Sequence, residues 1–181
     1  WIFIGSVDNA LLNMVDPILL GLTKKRGTEI ASKTILKNNP YEKVGVFCKK
    51  NGKPGVIEYS EIPEILIEEV DEHGKLLYGE SHIMCNLYTI EAIEKIANVE
   101  LPYHSAYKKV DFMQEDGNMF FAKEPNGYKY EAFIFDGFEL FDDITLYRGR
   151  REEDYAPVKN AEGVDSPETA IKLYNDFWFK N

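Results

Sequence analysis

The sequence predicts an α/β fold with a mixed sheet and a single domain over residues 1–181. Two observations carry this prediction. Short apolar segments typical of strands alternate along the chain with longer amphipathic segments typical of helices. An Asn-Gly pair at residues 51–52 lies between two segments rich in β-formers, which indicates a hairpin.

Each predicted element rests on a local signal. The run 1–7 is apolar throughout, as in a strand buried on both faces, and 51–55 is the expected hairpin loop. Thr89 and Ser166 are expected helix N-caps, and residues 114–130 are expected to form a loop or a short excursion. The predicted strands are residues 1–7, 28–36, 44–50, 56–60, 81–88 and 143–149. The predicted helices are a short one from Asp16-Pro17 to about Gly21, then 61–70, 89–99, 131–141 and one from Ser166-Pro167 onward.

Composition narrows the class of protein. The chain is 44% hydrophobic and 13% aromatic, which suits a globular domain with its own core. Its net charge of −10 argues against nucleic acid or anionic membrane as a general partner, although a local cation could still bind phosphate. The two cysteines, the lack of a signal peptide and the lack of a long apolar run predict a cytoplasmic protein. Because translation does not begin at Trp1, we expect a domain truncated at its N-terminal side.

Three polar residues are candidates for chemistry. Asp8 follows a predicted strand, where a carboxylate could bind Mg²⁺, but an Asx turn explains it equally well. Glu58 interrupts an apolar strand and could accept hydrogen bonds from sugar hydroxyls, or it could simply face solvent. Lys159 could reach a phosphate, or it could be an ordinary surface lysine.

Other groups of polar residues give weaker evidence of a functional site. Arg148, Arg150 and Arg151 are expected to pair with the acidic residues 152–154. No G-x-S-x-G, Walker or G-x-G-x-x-G motif is present, so the two histidines His82 and His104 have no recognisable nucleophile or phosphate loop beside them.

Several segments, in this order, resemble the eukaryotic-type UDP-N-acetylglucosamine pyrophosphorylases. The segments are VDN at 7–9, DP at 16–17, NPYEKVGVFCKKNGKPGVIEYSEI at 39–62, LPYHSAYKK at 101–109, EPNGYKYEAFIFDGF at 124–138 and EEDYAPVKNAEG at 152–163. The resemblance implies a Rossmann-like nucleotide-diphospho-sugar transferase core. It also implies a Mg²⁺-dependent reaction of UTP with a sugar 1-phosphate, giving a UDP-sugar and pyrophosphate.

The resemblance assigns roles residue by residue. Asp8 corresponds to an aspartate near the metal and phosphates, and Lys159 to a lysine on the nucleotide-sugar phosphates. On the sugar side it implies a glycine close to the sugar, a glutamate on the sugar hydroxyls and two aromatics beside the N-acetyl group. These sugar-side residues are Gly45, Glu58, Phe133 and Phe135.

Two departures from the family pattern leave alternatives open. His82 stands where the family has a sugar-contacting asparagine, so the sugar could be glucose, galactose or an N-acetylated sugar. The family's glycine-rich nucleotide loop is expected upstream of residue 1, so this segment alone should not complete the reaction. A noncatalytic sugar-phosphate-binding module on the same fold is therefore the competing hypothesis. A glycosyltransferase is a weaker one, since no Asp-x-Asp metal motif is visible.

Overall fold

The computed structural model describes residues 1–179, and it confirms the α/β class. The strands are β1 (Ile2–Gly5), β2 (Ile30–Leu36), β3 (Val46–Lys50), β4 (Lys53–Ile57), β5 (Glu80–Tyr88), β6 (His104–Lys108), β7 (Phe112–Met113), β8 (Met119–Phe120), β9 (Gly127–Glu131) and β10 (Thr145–Arg148). The helices are α1 (Pro17–Arg26), α2 (Ile90–Ala97), α3 (Arg151–Asp154) and α4 (Pro167–Trp178), with 3-10 helices at Glu64–Leu66 and Ile134–Leu140.

The central sheet is mixed, as predicted. Its strands run in the order β10-β2-β5-β3-β4, and β1 pairs with β5 beside this row. Only β10 and β2 are parallel, whereas β5 is antiparallel to β1, β2 and β3. Two small ribbons, β6 with β9 and β7 with β8, extend outside this sheet.

Alternation along β2 and β5 sends side chains to two covered faces. Ile30 and Tyr88 belong to an aromatic cluster that includes α2 and the 3-10 helix Ile134–Leu140. Their neighbours Ala31 and Leu87 pack on the other face against Leu19 of α1. Helices therefore cover both sides of the sheet, and the 3-10 helix faces the end of the β3–β4 hairpin.

A buried charge cluster ties α1 to the sheet and to α3. Lys33 of β2 forms ion pairs with Asp16 (2.7 Å) and Asp154 (2.5 Å), and all three side chains are buried. Asp16 also caps α1 by accepting hydrogen bonds from the backbone N–H groups of Ile18 and Leu19. Burial alone would raise the pKa of Asp16, but Lys33 and these N–H groups outweigh it and lower the pKa.

Several predicted elements were wrong in extent. α1 continues through Gly21 and ends at Gly27, whose φ of +71° is a left-handed conformation that suits glycine as a helix C-cap. The hairpin turn is the two residues Asn51-Gly52, so residues 53–55 belong to β4. Strand β1 covers only Ile2–Gly5, and its residues are half-buried because β1 pairs on one side only, with β5, within residues 1–179.

Two predicted helices and one loop also differ. The span 61–70 contains only the 3-10 helix Glu64–Leu66, and Ile65 is 86% exposed, so no apolar face was available to stabilise a longer helix. The span 131–141, predicted to be helical, contains the 3-10 helix Ile134–Leu140. The span 114–130, predicted as a loop or a short excursion, contains β8 and most of β9.

The caps at Thr89 and Ser166 are confirmed. Thr89 accepts a hydrogen bond from the backbone N–H of Ala92, and Ser166 forms a capping box with Thr169. Within residues 1–179, no helix combines the length and apolar character that crossing a bilayer requires.

Candidate functional site

The β3–β4 hairpin brings Glu58 over Gly45. Gly45 precedes β3 and Glu58 follows β4, so antiparallel pairing places the two residues side by side. A Cβ atom on Gly45 would lie 3.0 Å from the Oε1 atom of Glu58 and 3.1 Å from a methyl of Val56. A side chain here would therefore be tightly packed, and its absence leaves the Glu58 carboxylate next to bare backbone.

The Glu58 carboxylate is available to a ligand. The side chain is half-buried and, within residues 1–179, forms no hydrogen bond. Burial raises the pKa of this carboxyl, the neighbouring carboxylates of Glu61 and Asp136 add to the rise, and the cations His104 and Lys159 oppose it. A partly desolvated acceptor of this kind can bind hydroxyl donors.

Two aromatic rings form a wall near this carboxylate, and we call the region bounded by Gly45, Glu58 and this wall the cleft. Phe133 and Phe135 are stacked, with ring centroids 4.8 Å apart and an angle of 11° between the planes. Phe135 is buried, whereas Phe133 is half-buried, so the pair extends from the core to the surface. The 3-10 helix Ile134–Leu140 begins directly after Phe133 and fixes the direction of both rings.

His82 links the aromatic wall to Gly45. Its backbone N–H donates to the carbonyl of Gly45 (2.8 Å), and its ring lies edge-on to the Phe135 ring, with the two centroids 5.0 Å apart. The Nε2 atom is 3.1 Å from the amide oxygen of Asn86. Burial lowers the pKa of His82 to about 4, with Asn86 opposing the shift, so the ring is neutral at pH 7. A direct sugar contact by the ring stays a prediction.

Lys159 and Asp8 lie at the other end of the cleft. The Nζ atom of Lys159 donates to the carbonyl of Lys43 (3.0 Å), two residues before Gly45, and lies 5.8 Å from the centre of the Tyr155 ring. The carbonyl of Asp8 accepts a hydrogen bond from the N–H of Val158 (2.7 Å). The two loops that carry Asp8 and Lys159 are thereby joined.

Lys159 stays charged. Burial would lower the pKa of Lys159, but the Tyr155 hydroxyl and the carboxylates of Asp165 and Asp8 outweigh it and raise the pKa. The Asp8 carboxylate accepts a hydrogen bond from the Ser6 hydroxyl. The cleft therefore has a cation and a carboxylate together at one end, as a phosphate and metal site would need.

The residue next to Asp8 was not predicted. Asn9 is buried and donates from Nδ2 to the carbonyl of Asp154 (2.8 Å), while its Oδ1 accepts from the N–H of Ala156 (2.8 Å). These bonds hold the Asp8 loop against the segment that leads to Lys159. Its position after an apolar strand was the available signal, but the sequence does not show which segment Asn9 binds.

A second group that the sequence did not reveal lies beside Glu58. His104 contacts two carboxylates, Glu61 at 2.8 Å and Asp136 at 2.9 Å. These three residues are 43 and 32 positions apart in sequence, so no local motif connects them.

Other polar features lie outside the cleft. A cavity of about 900 Å³ near Lys33 and Trp178 contains none of the predicted site residues. The arginine prediction was right only for Arg150, which pairs with Glu153 (2.8 Å), because Arg148 pairs with Glu80 and Arg151 with Glu42. The Asp154 carboxylate forms an ion pair with Lys33.

Known proteins resemble this chain along most of its length. Residues 1–166 match the family described as UTP--glucose-1-phosphate uridylyltransferase. The human UDP-N-acetylhexosamine pyrophosphorylase-like protein 1 is 35% identical over 94% of this chain and 34% of its own length. The UDP-N-acetylglucosamine pyrophosphorylase of Saccharomyces cerevisiae is 36% identical over 96% of this chain and 38% of its own.

The solved structures agree in fold. The uridine diphosphate N-acetylglucosamine pyrophosphorylase of Trypanosoma brucei, crystallised with an inhibitor, superposes with a TM-score of 0.76 at 33% identity, over 94% of this chain and 34% of that one. This chain thus spans about a third of the length of the curated relatives it matches. With the family match extending over residues 1–166 and the nucleotidyltransferase fold shared with solved relatives, this chain belongs to the UTP--glucose-1-phosphate uridylyltransferase family.

Proposed function

We propose that the protein containing this segment is a uridylyltransferase that makes a UDP-sugar and pyrophosphate from UTP and a sugar 1-phosphate. N-acetylglucosamine 1-phosphate is the substrate we favour, as in the relatives' names. The observation that carries the proposal is the Glu58 carboxylate over Gly45, which has no hydrogen-bond partner within residues 1–179, together with the stacked Phe133 and Phe135 rings.

The sugar would lie between these two surfaces. An ionised Glu58 accepts hydrogen bonds only, so it suits the hydroxyl groups of a pyranose ring. The missing side chain at Gly45 gives the ring room against the backbone. The half-buried Phe133 ring, stacked on the buried Phe135 ring, offers an apolar surface to an N-acetyl methyl group.

The phosphates would lie at the Lys159 end of the cleft. The Lys159 ammonium supplies a positive charge, and Asp8 supplies a carboxylate beside it. Within residues 1–179 no group of three or more His, Cys, Asp or Glu side chains could enclose a metal. One carboxylate nevertheless fits Mg²⁺, which is often bound by one or two carboxylates together with substrate phosphates. Bound there, Mg²⁺ would neutralise phosphate charge.

In the proposed reaction, a phosphate oxygen of the sugar 1-phosphate attacks the α-phosphorus of UTP. The bond between that phosphorus and the oxygen bridging to the β-phosphorus breaks, and pyrophosphate leaves. Glu58 would orient the attacking sugar 1-phosphate, and Lys159 would stabilise the charge on the phosphates. The nucleotide-binding residues would belong to the remainder of the relatives' length.

A second candidate is a sugar-phosphate-binding module without catalysis. The observation that favours it is His82, whose ring lies among Phe47, Phe135 and Phe138 where the family pattern has a sugar-contacting asparagine. Such a module would bind a sugar 1-phosphate but would not release pyrophosphate. The two free thiols, Cys48 and Cys85, support the cytoplasmic location we propose for either candidate.

Pyrophosphate release tests the proposal. The full-length natural protein, shown to be folded by circular dichroism, would be incubated with UTP, Mg²⁺ and a panel of sugar 1-phosphates: N-acetylglucosamine, N-acetylgalactosamine, glucose and galactose. We expect release with one or two of them, and most with N-acetylglucosamine 1-phosphate. Binding of a sugar 1-phosphate without release from any of the four would favour the binding module.

A further inference from the structure

His104 bridges two carboxylates with both of its ring nitrogens. Nδ1 is 2.8 Å from an oxygen of Glu61, and Nε2 is 2.9 Å from an oxygen of Asp136. The Asp136 side chain is only 4% exposed, and that of His104 is 18% exposed. We call these three residues the acidic brace.

With both carboxylates ionised, the geometry favours a doubly protonated ring. An ionised carboxylate only accepts hydrogen bonds, so both nitrogens must donate if both contacts are hydrogen bonds. Burial alone would lower the pKa of His104, but the hydrogen bonds to Glu61 and Asp136 outweigh it and raise the pKa above its usual value.

Each carboxylate of the acidic brace is tied to one wall of the sugar cleft. The N–H of Glu61 donates to the carbonyl of Glu58 (2.8 Å), so these two residues share one turn. The N–H of Asp136 donates to the carbonyl of Phe133 (3.0 Å), so these two share another. The His104 ring itself lies 5.0 Å from the Phe133 ring.

We propose that His104 is a positioning residue whose imidazolium holds the Glu58 turn and the Phe133 turn together, and so fixes the width of the sugar cleft. This inference rests on the proposed function, since it gives His104 a role in the same site. His104 acts through Glu61 and Asp136 and touches no substrate.

The charges around the His104 ring make the link between the Glu58 turn and the Phe133 turn sensitive to protonation of the ring. Glu61 from the segment after β4 and Asp136 from the 3-10 helix face it directly, and Glu58 lies beyond Glu61. Glu131 is opposite His104 across the β6–β9 ribbon, where it pairs with Lys129 (2.7 Å). Lys159 lies on the far side of Glu58.

Loss of the proton would weaken the acidic brace. One ring nitrogen would then face a carboxylate with a lone pair, and three carboxylates, of Glu58, Glu61 and Asp136, would lose their shared cation. The two walls would be free to separate. We therefore expect weaker sugar binding as the pH rises through the raised pKa of His104, with little change at the phosphate end of the cleft.

Kinetics of the full-length protein test this role. In the wild type, the KM for the sugar 1-phosphate should rise about tenfold between pH 6 and pH 9, the loss expected for one charged hydrogen bond. The variant His104→Gln should have a KM about tenfold higher at pH 6 and no rise with pH. The KM for UTP should change less than about twofold. His73→Gln, at an exposed histidine, is the matched control and should behave as the wild type.

Nuclear magnetic resonance provides a readout independent of turnover. Titration of the labelled His104 imidazole should give a pKa above 6.5, and Glu61→Gln should lower that pKa. A normal or lowered pKa of His104 would overturn the inference, whether or not the protein is active.

The two proposals fail in different ways. Pyrophosphate release with a pH-independent sugar KM, unaltered in His104→Gln, would overturn the role of His104 and leave the proposed function intact. Absence of release from the folded wild type would count against the function, and against the role of His104 in it. The titration would then still decide whether the ring is a charged bridge.

Discussion

Lys159 and His82 derive opposite properties from their surroundings. The exposed Lys159 lies near a tyrosine hydroxyl and two carboxylates, whereas the buried His82 ring is surrounded by three aromatic rings and one amide oxygen. The lysine therefore keeps its charge and the histidine loses its own. One can stabilise phosphates in the cleft, and the other serves packing between Gly45 and the aromatic wall.

Replacement of Lys159 should affect turnover most. Lys159→Ala removes the cation at the phosphate end, and we expect kcat of the full-length protein to fall roughly a hundredfold or more, as for loss of one preorganised charge. The matched control is Lys24→Ala, on the exposed side of α1, which should retain wild-type kcat. Steady-state pyrophosphate release measures both, and equal activity of the two variants would remove Lys159 from the site.

His82 should make the protein sensitive to acid. Its pKa is about 4 when folded, against an ordinary 6.5, so only the unfolded chain takes up the proton between these values. The contribution of His82 to the free energy of unfolding is therefore complete above pH 6.5. It decreases as the pH falls, at about 1.4 kcal/mol per pH unit, and the loss is roughly 3 kcal/mol at pH 4.

His82→Asn removes this titration. Urea unfolding at pH 7, 5.5 and 4 should show a smaller decline of stability in the variant than in the wild type. Parallel declines would mean that the buried ring does not resist protonation.

Among the elements, those decided by local chemistry were predicted best. Thr89 and Ser166 were correctly predicted as caps because a hydroxyl that accepts from the next turn is a local interaction. The 131–141 segment was predicted to be helical without a helix type, although Phe135, Phe138 and Phe141 recur every three residues, which is the period of a 3-10 helix. All three rings are buried, so packing against the sheet selected that period.

The cap of α2 offers a direct test of this local account. Thr89→Ala removes the hydrogen bond accepted from Ala92 N–H (3.0 Å), and we expect a loss of about 1 kcal/mol in the free energy of unfolding. Thr89→Ser retains the hydroxyl and should lose less than half of that. Thermal unfolding would compare the two, and identical losses would argue that the methyl group, not the cap, stabilises α2.

At the scale of the whole molecule, the contacts between residues far apart in the chain could not be predicted from the sequence. Lys33 meets Asp16 and Asp154 from positions 17 and 121 residues away, and the acidic brace joins residues 43 and 32 positions apart. The site residues Gly45, Glu58 and Lys159 came from family resemblance, because an isolated glutamate or lysine carries no local signal. Neither ion cluster has a spacing that periodicity or motif analysis detects.

Among the ion pairs, the Lys33 cluster should contribute most to the free energy of unfolding. Lys33→Met leaves two carboxylates buried without their cation, and we expect a loss of about 3–5 kcal/mol in urea unfolding at pH 7. Lys172→Met removes an exposed helix pair with Asp176 and should cost less than about 1 kcal/mol. Similar losses in both variants would contradict the importance of this buried cluster.

We propose that this chain contains the sugar half of a uridylyltransferase site, with Glu58 as its hydroxyl acceptor. The most direct test is the KM of full-length Glu58→Ala for the sugar 1-phosphate and for UTP, measured separately by pyrophosphate release. We expect the sugar 1-phosphate KM to rise roughly ten- to a hundredfold, as for loss of charged hydrogen bonds, and the UTP KM to stay within about twofold. An unchanged sugar 1-phosphate KM would contradict the account, because the cleft described here would then not be where the sugar binds.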